Sequence, residues 1–420
     1  MSDSSDTTAT LARSDAFARR LKKRYAAEKR FKALGLGAVL FSVVVLIFLL
    51  ATMLWNGIGG FQRVEVSVPI DLAASGLSAD PAVMAQPNAA QNLETQGLPQ
   101  IVAAAAEQAI GPQANDAIDA DAWRDVAAQI VADPALAQTT TTFSLPADPD
   151  LAAGFEGEGS PEMRALADRL SAEGKLSKNF DGGFLSRSDA TSAQHAGVWG
   201  ALKGSFLTML VTLALAFPIG VLAALYLEEY APRNRWTDII EVSINNLAAV
   251  PSIIFGLLGL AVFLAIFPNM RSAPLIGGMT LALMTMPVIV ISGRNAIKAV
   301  PPSIRDGALA IGASPVQVVF HHVLPLALPG ILTGTIIGMA RALGETAPLL
   351  MIGMRAFISA PPDGFTSPAT VLPVQIFLWS DEVDRGFVER TSAAIVVLLL
   401  FLLAMNGLAI YLRNRFEKKW

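Results

Sequence analysis

Two oppositely charged side chains, Arg341 and Glu345, lie within an otherwise apolar stretch of the sequence, residues 326–351. The stretch is long enough to cross a bilayer as a helix, where a charge costs roughly 2.5 to 3.5 kcal/mol even on lenient insertion scales. At helical spacing the two side chains lie one turn apart and can pair. A guanidinium can also donate two parallel hydrogen bonds to a tetrahedral oxyanion. The sequence therefore predicts either a structural ion pair or an anion contact at Arg341.

Three glycines are predicted to share a helix face with this charged pair. Gly330, Gly334 and Gly338 precede Arg341 and Glu345 at spacings of four, four, three and four residues. Residues at such intervals lie on one side of a helix. Small side chains let a second helix approach closely, and a charge inside a membrane needs a cavity or a partner. The face is therefore predicted to line a cavity or to contact a neighbouring helix.

A short, interrupted segment, residues 301–325, precedes the charged stretch. Gly312 is placed to end a first helix in the left-handed conformation, Ser314 to cap a second helix, and Pro325 to end it. The pattern predicts a helix-turn-helix element that is too short to cross a membrane. An exposed apolar face on its second helix is expected to be covered by another protein. That face comprises Val316, Val319, Phe320 and Val323.

The composition excludes several classes of chemistry. The chain has 420 residues, of which 53% are hydrophobic and 16% charged, and it contains no cysteine, so disulfides, thiolate metal sites and cysteine nucleophiles are excluded. The three histidines, His195, His321 and His322, argue against a histidine metal cluster, and the last two either sense pH or pack in an interface. The sequence has no Gly-x-x-x-x-Gly-Lys-Ser/Thr phosphate loop, so any ATP that drives the protein is bound by another chain.

Apolar stretches and their basic flanks predict an all-α membrane protein with six transmembrane helices. Basic clusters within residues 13–32 and 413–419 are interpreted as cytoplasmic anchors rather than as sites for nucleic acid or lipid. Six crossings then place both termini in the cytoplasm and residues 56–203 outside. The predicted spans are residues 34–55, 205–227, 242–267 with an interruption at Pro251, 274–293, 326–351 and 391–412.

Residues 56–203, called the insert below, differ in composition from the predicted spans. The insert is rich in Ala, Asp and Gln, and it contains few aromatic residues. It is predicted to be mainly helical or partly disordered. Its acidic side chains Asp116, Asp119, Asp121 and Asp125 fit no calcium-loop spacing, so they are interpreted as a solvated surface rather than a cation site.

Three stretches carry a resemblance to a known family. Asp306-Gly307-Ala308, Gly312 and Leu324-Pro325 are similar to the cytoplasmic coupling loop of ABC importer permeases, although Asp306, Gly307 and His322 stand where that pattern has Glu, Ala and Ile. Residues 341–348 (Arg-Ala-Leu-Gly-Glu-Thr-Ala-Pro) and 250–257 (Val-Pro-Ser-Ile-Ile-Phe-Gly-Leu) resemble two signatures of the A-type permeases of phosphate-specific ABC importers. The resemblance covers about residues 205–412 and the first span, but not the insert.

The resemblance implies a role for each part of the chain. A basic tail (1–33), the first span (34–55) and the insert precede a permease core (204–412), which contains a coupling loop (294–325) and is followed by a second tail (413–420). The implied substrate path contains Arg341, Glu345, Thr346 and Arg294, the last either as a second phosphate contact or as a cation at an inner helix end. The implied coupling residues are Asp306, Gly312, Ser314, Phe320, His322 and Pro325.

The same resemblance implies a multi-pass protein of the bacterial inner membrane that transports rather than catalyses. Its partners would be a homologous C-type permease, two ATPase subunits that bind ATP and Mg, and a periplasmic phosphate-binding protein. The chain itself would hold no cofactor or metal and would bind no nucleic acid. Three alternatives stay open: a permease for sulfate or molybdate, a membrane enzyme that uses Arg341 and Glu345 catalytically, and a sensor that detects a ligand through the insert.

Overall fold

The chain begins with one long helix, α1 (Asp3–Gly60). The computed structural model describes residues 3–86, 88–355, 357–384 and 386–416, with side chains from residue 22 onwards apart from those of residues 56 and 416. Two compact units are present, residues 1–56 and 57–420. The part of α1 at Lys22–Gly60 is long and apolar enough to cross a membrane. The predicted first span, residues 34–55, lies inside it.

The insert folds as a three-stranded antiparallel sheet with helices packed against it. The central strand pairs with one strand on each side, in the order β2-β1-β3. In chain order the elements are β1 (Gln62–Asp71), α2 (Pro81–Met84), α3 (Ala89–Thr95), α4 (Leu98–Ile110), α5 (Trp123–Ala132), β2 (Thr140–Pro146), α6 (Pro149–Phe155), α7 (Pro161–Ala172) and β3 (Leu176–Phe180).

Alternation along β1 explains why this segment forms the centre of the sheet. Val64, Val66, Val68 and Ile70 are buried, and the residues between them are more exposed. A period of two places all four on one face of a strand. That face belongs to one apolar core, together with the buried side of α4 and with Phe143 of β2. The described residues of the insert thus form a packed domain.

This result corrects part of the sequence interpretation. Helices supply more of the insert than strands do, as predicted, but a sheet is present and the described part of the insert is ordered around a core. The alternation along β1 is a local strand signal that the sequence interpretation did not use, and the partners of β1 lie far along the chain, at residues 140–146 and 176–180. Those two segments are short, with the sequences Thr-Thr-Thr-Phe-Ser-Leu-Pro and Leu-Ser-Lys-Asn-Phe, and neither has more than two apolar positions in alternation. They become strands by pairing with β1, which is a tertiary effect.

The rest of the chain is helical and carries most of the predicted spans. Helix α12 packs against both α8 and α15. The helices are α8 (Trp199–Leu225), α9 (Arg235–Ala248), α10 (Ser252–Leu258), α11 (Leu264–Ile266), α12 (Pro274–Lys298), α13 (Pro302–Ala310), α14 (Pro315–Val318), α15 (Leu324–Leu343), α16 (Ala347–Met351), α17 (Leu372–Ser380) and α18 (Gly386–Phe416).

The number of membrane-crossing segments agrees with the sequence. Within the described ranges, five helices are long and apolar enough to cross a membrane, and a bent pair, Arg235–Ala248 with Ser252–Ile266, raises the number to six if it forms one span. The bend is 104°. It lies at Pro251, whose ring removes a backbone donor and excludes a continuous helix. The predicted interruption of the third span is therefore present, and it is much sharper than a kink.

The helix-turn-helix element, residues 301–325, is called the coupling element below for the role that the family resemblance implies. Its boundary with the fifth span differs from the prediction. One continuous helical run extends from Pro315 to Leu343, because a π-helical segment (Val319–Val323) joins α14 to α15. Pro325 does not end the helix, since the run continues through it from the π-helical segment into α15. The run then stops at Leu343 rather than at residue 351. Pro348 explains this end, because it has no N–H for the carbonyl of Gly344.

A buried ionic cluster connects the insert to the last span. Arg390 of α18 donates to Asp181 Oδ2 at 2.8 Å, to the Ala193 carbonyl at 3.0 Å and to the Gly60 carbonyl at 2.8 Å. Arg187 also donates to Asp181 Oδ2, at 2.7 Å. Arg390 and Asp181 are both almost fully buried. The junction therefore depends on charge neutralisation and on a complete set of hydrogen bonds.

We expect this junction to weaken in acid. Burial alone would raise the pKa of the Asp181 carboxyl, but the charges of Arg390 and Arg187 outweigh it and hold that pKa below its usual range. The stabilisation is therefore complete above the unfolded pKa of about 3.9 and is lost as pH falls through the folded pKa. Asp181→Asn should cost about 3 to 5 kcal/mol at neutral pH, because it leaves Arg390 buried without a counter-ion.

The measurement is the apparent unfolding temperature of the purified protein, followed by tryptophan fluorescence between about pH 7 and pH 3. Asp181→Asn should lower the unfolding temperature at neutral pH, and the unfolding temperature of this variant should fall less than that of the wild type as the pH is lowered. Glu94→Gln removes an exposed carboxylate of α3 and serves as the matched control. An equal fall of the unfolding temperature in acid for the wild type and for Asp181→Asn would contradict the claim that ionised Asp181 stabilises this junction.

Candidate functional site

The two stretches that resemble family signatures pack against each other. A Cβ on Gly256 of α10 would lie 2.6 Å from Pro348 Cα and 2.8 Å from the Pro348 carbonyl oxygen in α16. No larger residue fits such a contact without movement of the backbone. Residues 250–257 and 341–348 therefore form one packed unit, although about ninety residues separate them along the chain.

The charged pair forms at the end of this unit. Arg341 Nε donates to Glu345 Oε1 at 3.3 Å, so the predicted pairing is present. Glu345 lies just beyond the last residue of α15, however, and not on the helix itself. The Arg341 side chain is 49% exposed and that of Glu345 is 19% exposed. Among the described residues Glu345 is the one hydrogen-bond partner of this guanidinium, which leaves both terminal nitrogens available.

The glycine face contacts a neighbouring helix of the same chain. A Cβ on Gly338 would lie 2.9 Å from Thr285 Cγ2, and one on Gly334 would overlap the Ser292 hydroxyl, both in α12. Of the two predicted alternatives, a cavity and a partner helix, this face has the partner helix. Arg341 lies at the edge of that contact and on the exposed side of α15, next to the exposed Ile337.

Thr346 and Arg294, the other predicted path residues, occupy different environments. Thr346 precedes α16, and its carbonyl accepts hydrogen bonds from the amides of Leu349 and Leu350. It directly follows Glu345 in the sequence. Arg294 of α12 lies apart from this pair, in contact with carboxylates near the opposite end of α15. A substrate contact for either residue stays a prediction.

The Arg294 guanidinium forms ion pairs with two carboxylates. Its Nη2 donates to Glu241 Oε2 at 2.8 Å and its Nε to Glu228 Oε2 at 3.2 Å. Lys298 Nζ lies 3.6 Å from the same Glu228 oxygen. This arrangement matches the interpretation of Arg294 as a cation fixed at a helix end, since two carboxylates neutralise its charge and its side chain is only 12% exposed.

The turn of the coupling element has the predicted local structure. Gly312 has a φ of +91°, in the left-handed region that only glycine adopts without strain. Ser314 accepts from the Gln317 amide at 3.4 Å and the Gln317 side chain accepts from the Ser314 amide at 2.8 Å, which is a capping box. Asp306 lies on α13, before this turn. His322 and Pro325 are half-buried and follow the turn in the continuous helical run.

The predicted apolar face divides into an inner and an outer half. Val319 and Val323 are buried in the core of the chain, whereas Val316 and Phe320 are 56% and 46% exposed. The prediction of one exposed face was wrong for Val319 and Val323, because the inner side of the helical run packs against the same chain. Exposed apolar residues of α13 and the turn extend the outer half. This surface, called the coupling patch below, comprises Leu309, Ile311, Val316 and Phe320.

Ile311 follows the buried Ala308 at helical spacing, yet it is 83% exposed. The helix ends at Ala310, so Ile311 belongs to the turn and points away from the helix face that spacing assigns. The position of Gly312 could have indicated this, because a residue directly before a left-handed glycine has left the helical repeat.

Comparison with known proteins agrees with the geometry. A family model described as a binding-protein-dependent transport system inner membrane component matches residues 216–419. A second model, described as a domain of unknown function (DUF3333), matches residues 18–165. The chain is 30% identical over 218 residues to the phosphate transport system permease protein PstA 1 of Mycobacterium tuberculosis, covering 52% of this chain and 70% of the relative.

Two further relatives extend this result. The phosphate transport system permease protein PstA of Haemophilus influenzae is 32% identical over 227 residues, covering 54% of this chain and 78% of the relative. The probable ABC transporter permease protein YqgI of Bacillus subtilis is 29% identical over 252 residues, covering 56% and 84%. The helices, the paired signatures and these matches define a multi-pass permease subunit of an ABC importer, a transport component rather than an enzyme. Within that class, the chain belongs to the PstA family.

Proposed function

We propose that this chain is the A-type permease subunit of an ATP-driven importer of inorganic phosphate. The observation that carries the proposal is the Arg341 guanidinium, which pairs with Glu345 through Nε alone and keeps its two terminal nitrogens open. These nitrogens can donate to two oxygens of one tetrahedral anion. The names of the PstA relatives support phosphate as that anion. Sulfate and molybdate share the tetrahedral shape and are the alternatives to test.

Glu345 gives the path a means of release. When no anion is present, its carboxylate neutralises Arg341 and lowers the cost of a cation in the membrane. A passing anion competes with Glu345 for the same guanidinium. Such competition keeps binding weak, as transport requires, because a tightly held anion would not leave.

Partners complete the site. The exposed side of α15, with Ile337 and Arg341, would face a homologous C-type permease, so that the anion passes between the two subunits. The coupling patch would bind one of two ATPase subunits, which hold ATP and Mg. A periplasmic phosphate-binding protein would deliver the anion on the side of the insert. The chain would lie in the inner membrane with both termini in the cytoplasm.

The continuous helical run suggests how ATP closure reaches the anion. Phe320 in the coupling patch and Arg341 belong to the same run, Pro315 to Leu343. Twenty-one residues of helix span about 30 Å. Because no turn separates the two residues, a tilt of the run at the ATPase end moves the Arg341 end as well. A motion of the run at the ATPase would therefore displace Arg341 in the substrate path.

Loss of the chain tests the proposal in cells. A strain that lacks this subunit should lose high-affinity uptake of labelled phosphate, and the wild-type chain should restore it. Sulfate and molybdate uptake in the same strain is the control. Normal phosphate uptake in the deletion strain, with loss of sulfate or molybdate uptake, would assign the other oxyanion.

We predict opposite labelling of two single cysteines placed in this cysteine-free chain. Gln113→Cys lies on the exposed surface of the insert, and Arg233→Cys lies in the exposed connection before α9. An impermeant thiol reagent should modify only Gln113→Cys in intact spheroplasts and both variants after lysis, because the basic flanks keep the second connection inside. Labelling of Arg233→Cys alone in spheroplasts would invert the proposed topology.

A further inference from the structure

Two consecutive carboxylates occupy the end of α8 at a π-helical segment, Tyr226–Tyr230. Glu228 pairs with Arg294 of α12, and Glu229 pairs with Arg305 of α13. Neighbouring residues on a helix project in different directions, so the segment contacts two elements at once. Segments of π-helix inside α-helices occur frequently at functional sites. Neither carboxylate was singled out from the sequence.

Arg305 connects three elements through one guanidinium. Its Nε and Nη2 donate to Glu229 at 3.2 and 2.7 Å, its Nη1 donates to the Val300 carbonyl at 2.7 Å, and its Nη2 also donates to the Ile297 carbonyl at 3.0 Å. The Ile297 carbonyl lies in the last turn of α12, where it also accepts from the Val300 amide at 3.2 Å, and the Val300 carbonyl lies just beyond the helix end. Arg305 therefore ties α13 to the ends of both α8 and α12. An ammonium could not make this set, because it lacks the planar fork.

The two arginines have different connections. Arg294 links α12 to α8 and α9. Arg305 links the coupling element to the spans, since it lies on α13 directly before Asp306. Glu229 and the Arg305 side chain are largely shielded from solvent, so their attraction is screened less than that of an exposed pair.

We infer that Arg305 and Glu229 are positioning residues that transmit motion of the coupling element to α8. The role rests on the proposed function, since it requires an ATPase that moves α13. It supplies a second route beside the Pro315–Leu343 run. That run moves α15 directly, whereas the Arg305–Glu229 pair moves α8, and both helices pack against α12. Closure of the ATPases would then shift α8 and α15 together.

The test is the number of anions imported per ATP hydrolysed by the complete importer in proteoliposomes. Glu229→Gln should lower this ratio by at least about fivefold, the low end of typical coupling between sites, while the complex assembles and still hydrolyses ATP. Arg305→Lys should lower it as well, since the charge stays but the fork is lost. Glu229→Gln with Arg305→Gln should be no worse than the stronger single change, because both remove one contact.

Two comparisons distinguish transmission from mere stability. Glu228→Gln breaks a similar ion pair that joins spans only, so it should lower the unfolding temperature without changing the ratio. Asp238→Asn removes an exposed carboxylate of α9 and should change neither quantity. A proportional fall of transport and hydrolysis in Glu229→Gln and Arg305→Lys, or a normal ratio in both, would overturn the inference. Phosphate uptake by the wild-type complex reports separately on the proposed function, and the ratio can be measured with whichever oxyanion that complex carries.

Discussion

Arg341→Lys is expected to lower phosphate uptake by at least about tenfold, because a hydrogen bond to a charged group contributes about 1.5 to 3 kcal/mol and an ammonium loses the second one. The complex should still assemble, since lysine keeps the positive charge and most of the aliphatic stem of a side chain that is half exposed in this chain. Uptake of labelled phosphate and co-purification of the subunits measure the two effects. Arg124→Lys is the matched control, because Arg124 forms an exposed ion pair with Asp121 in the insert.

A double change separates the two roles of Arg341. If the guanidinium only neutralises Glu345, Arg341→Gln combined with Glu345→Gln should recover the uptake that either single change loses. If it contacts the anion, the double variant should stay inactive. Glu345→Gln alone leaves Arg341 without its counter-ion, so uncoupled anion leakage is expected from that variant. Wild-type uptake in the double variant would contradict a substrate role and leave a structural pair.

Phe320→Asp is expected to release the ATPase or to abolish transport-stimulated hydrolysis. The change puts a charge in the coupling patch, where burial against a partner would desolvate an unpaired carboxylate. The permease itself should remain in the membrane, because Phe320 is outside the core that holds Val319 and Val323. Co-purification of the ATPase and hydrolysis in proteoliposomes are the measurements.

Phe320→Leu is the matched variant for this prediction. It keeps an apolar side chain at the same position, so it should retain most of the ATPase contact. Normal uptake in Phe320→Asp would mean that the coupling patch does not bind the ATPase. Loss of the permease from the membrane in Phe320→Asp alone would mean that Phe320 supports the fold.

Local signals in the sequence were sufficient to predict the turn of the coupling element and the pairing of Arg341 with Glu345. Gly312, Ser314 and Gln317 act through bonds within a few residues, and so do Arg341 and Glu345 at a spacing of four. Composition alone was sufficient for the membrane spans, because a bilayer requires long apolar helices. These are features that depend little on distant parts of the chain.

Features that depend on distant contacts were missed. Strands β2 and β3 exist because β1 pairs with them, and nothing local marks them. The continuity of the Pro315–Leu343 run depends on a π-helical segment, which no spacing rule predicts. In the sequence, Glu229 and Arg305 are charged residues near the ends of predicted spans, and nothing there indicates that they pair. The fold brings them into contact. The sequence predicted that the glycine face lines a cavity or contacts a helix, but it could not decide between the two or name the partner, α12.

The most direct measurement is uptake of labelled phosphate by the complete importer in proteoliposomes, with ATP and the binding protein supplied on opposite sides. Phosphate should accumulate only when both are present, and a large excess of unlabelled phosphate, but not of sulfate or molybdate, should suppress the labelled uptake. Equal suppression by sulfate or molybdate, or accumulation without ATP, would contradict an ATP-driven phosphate importer.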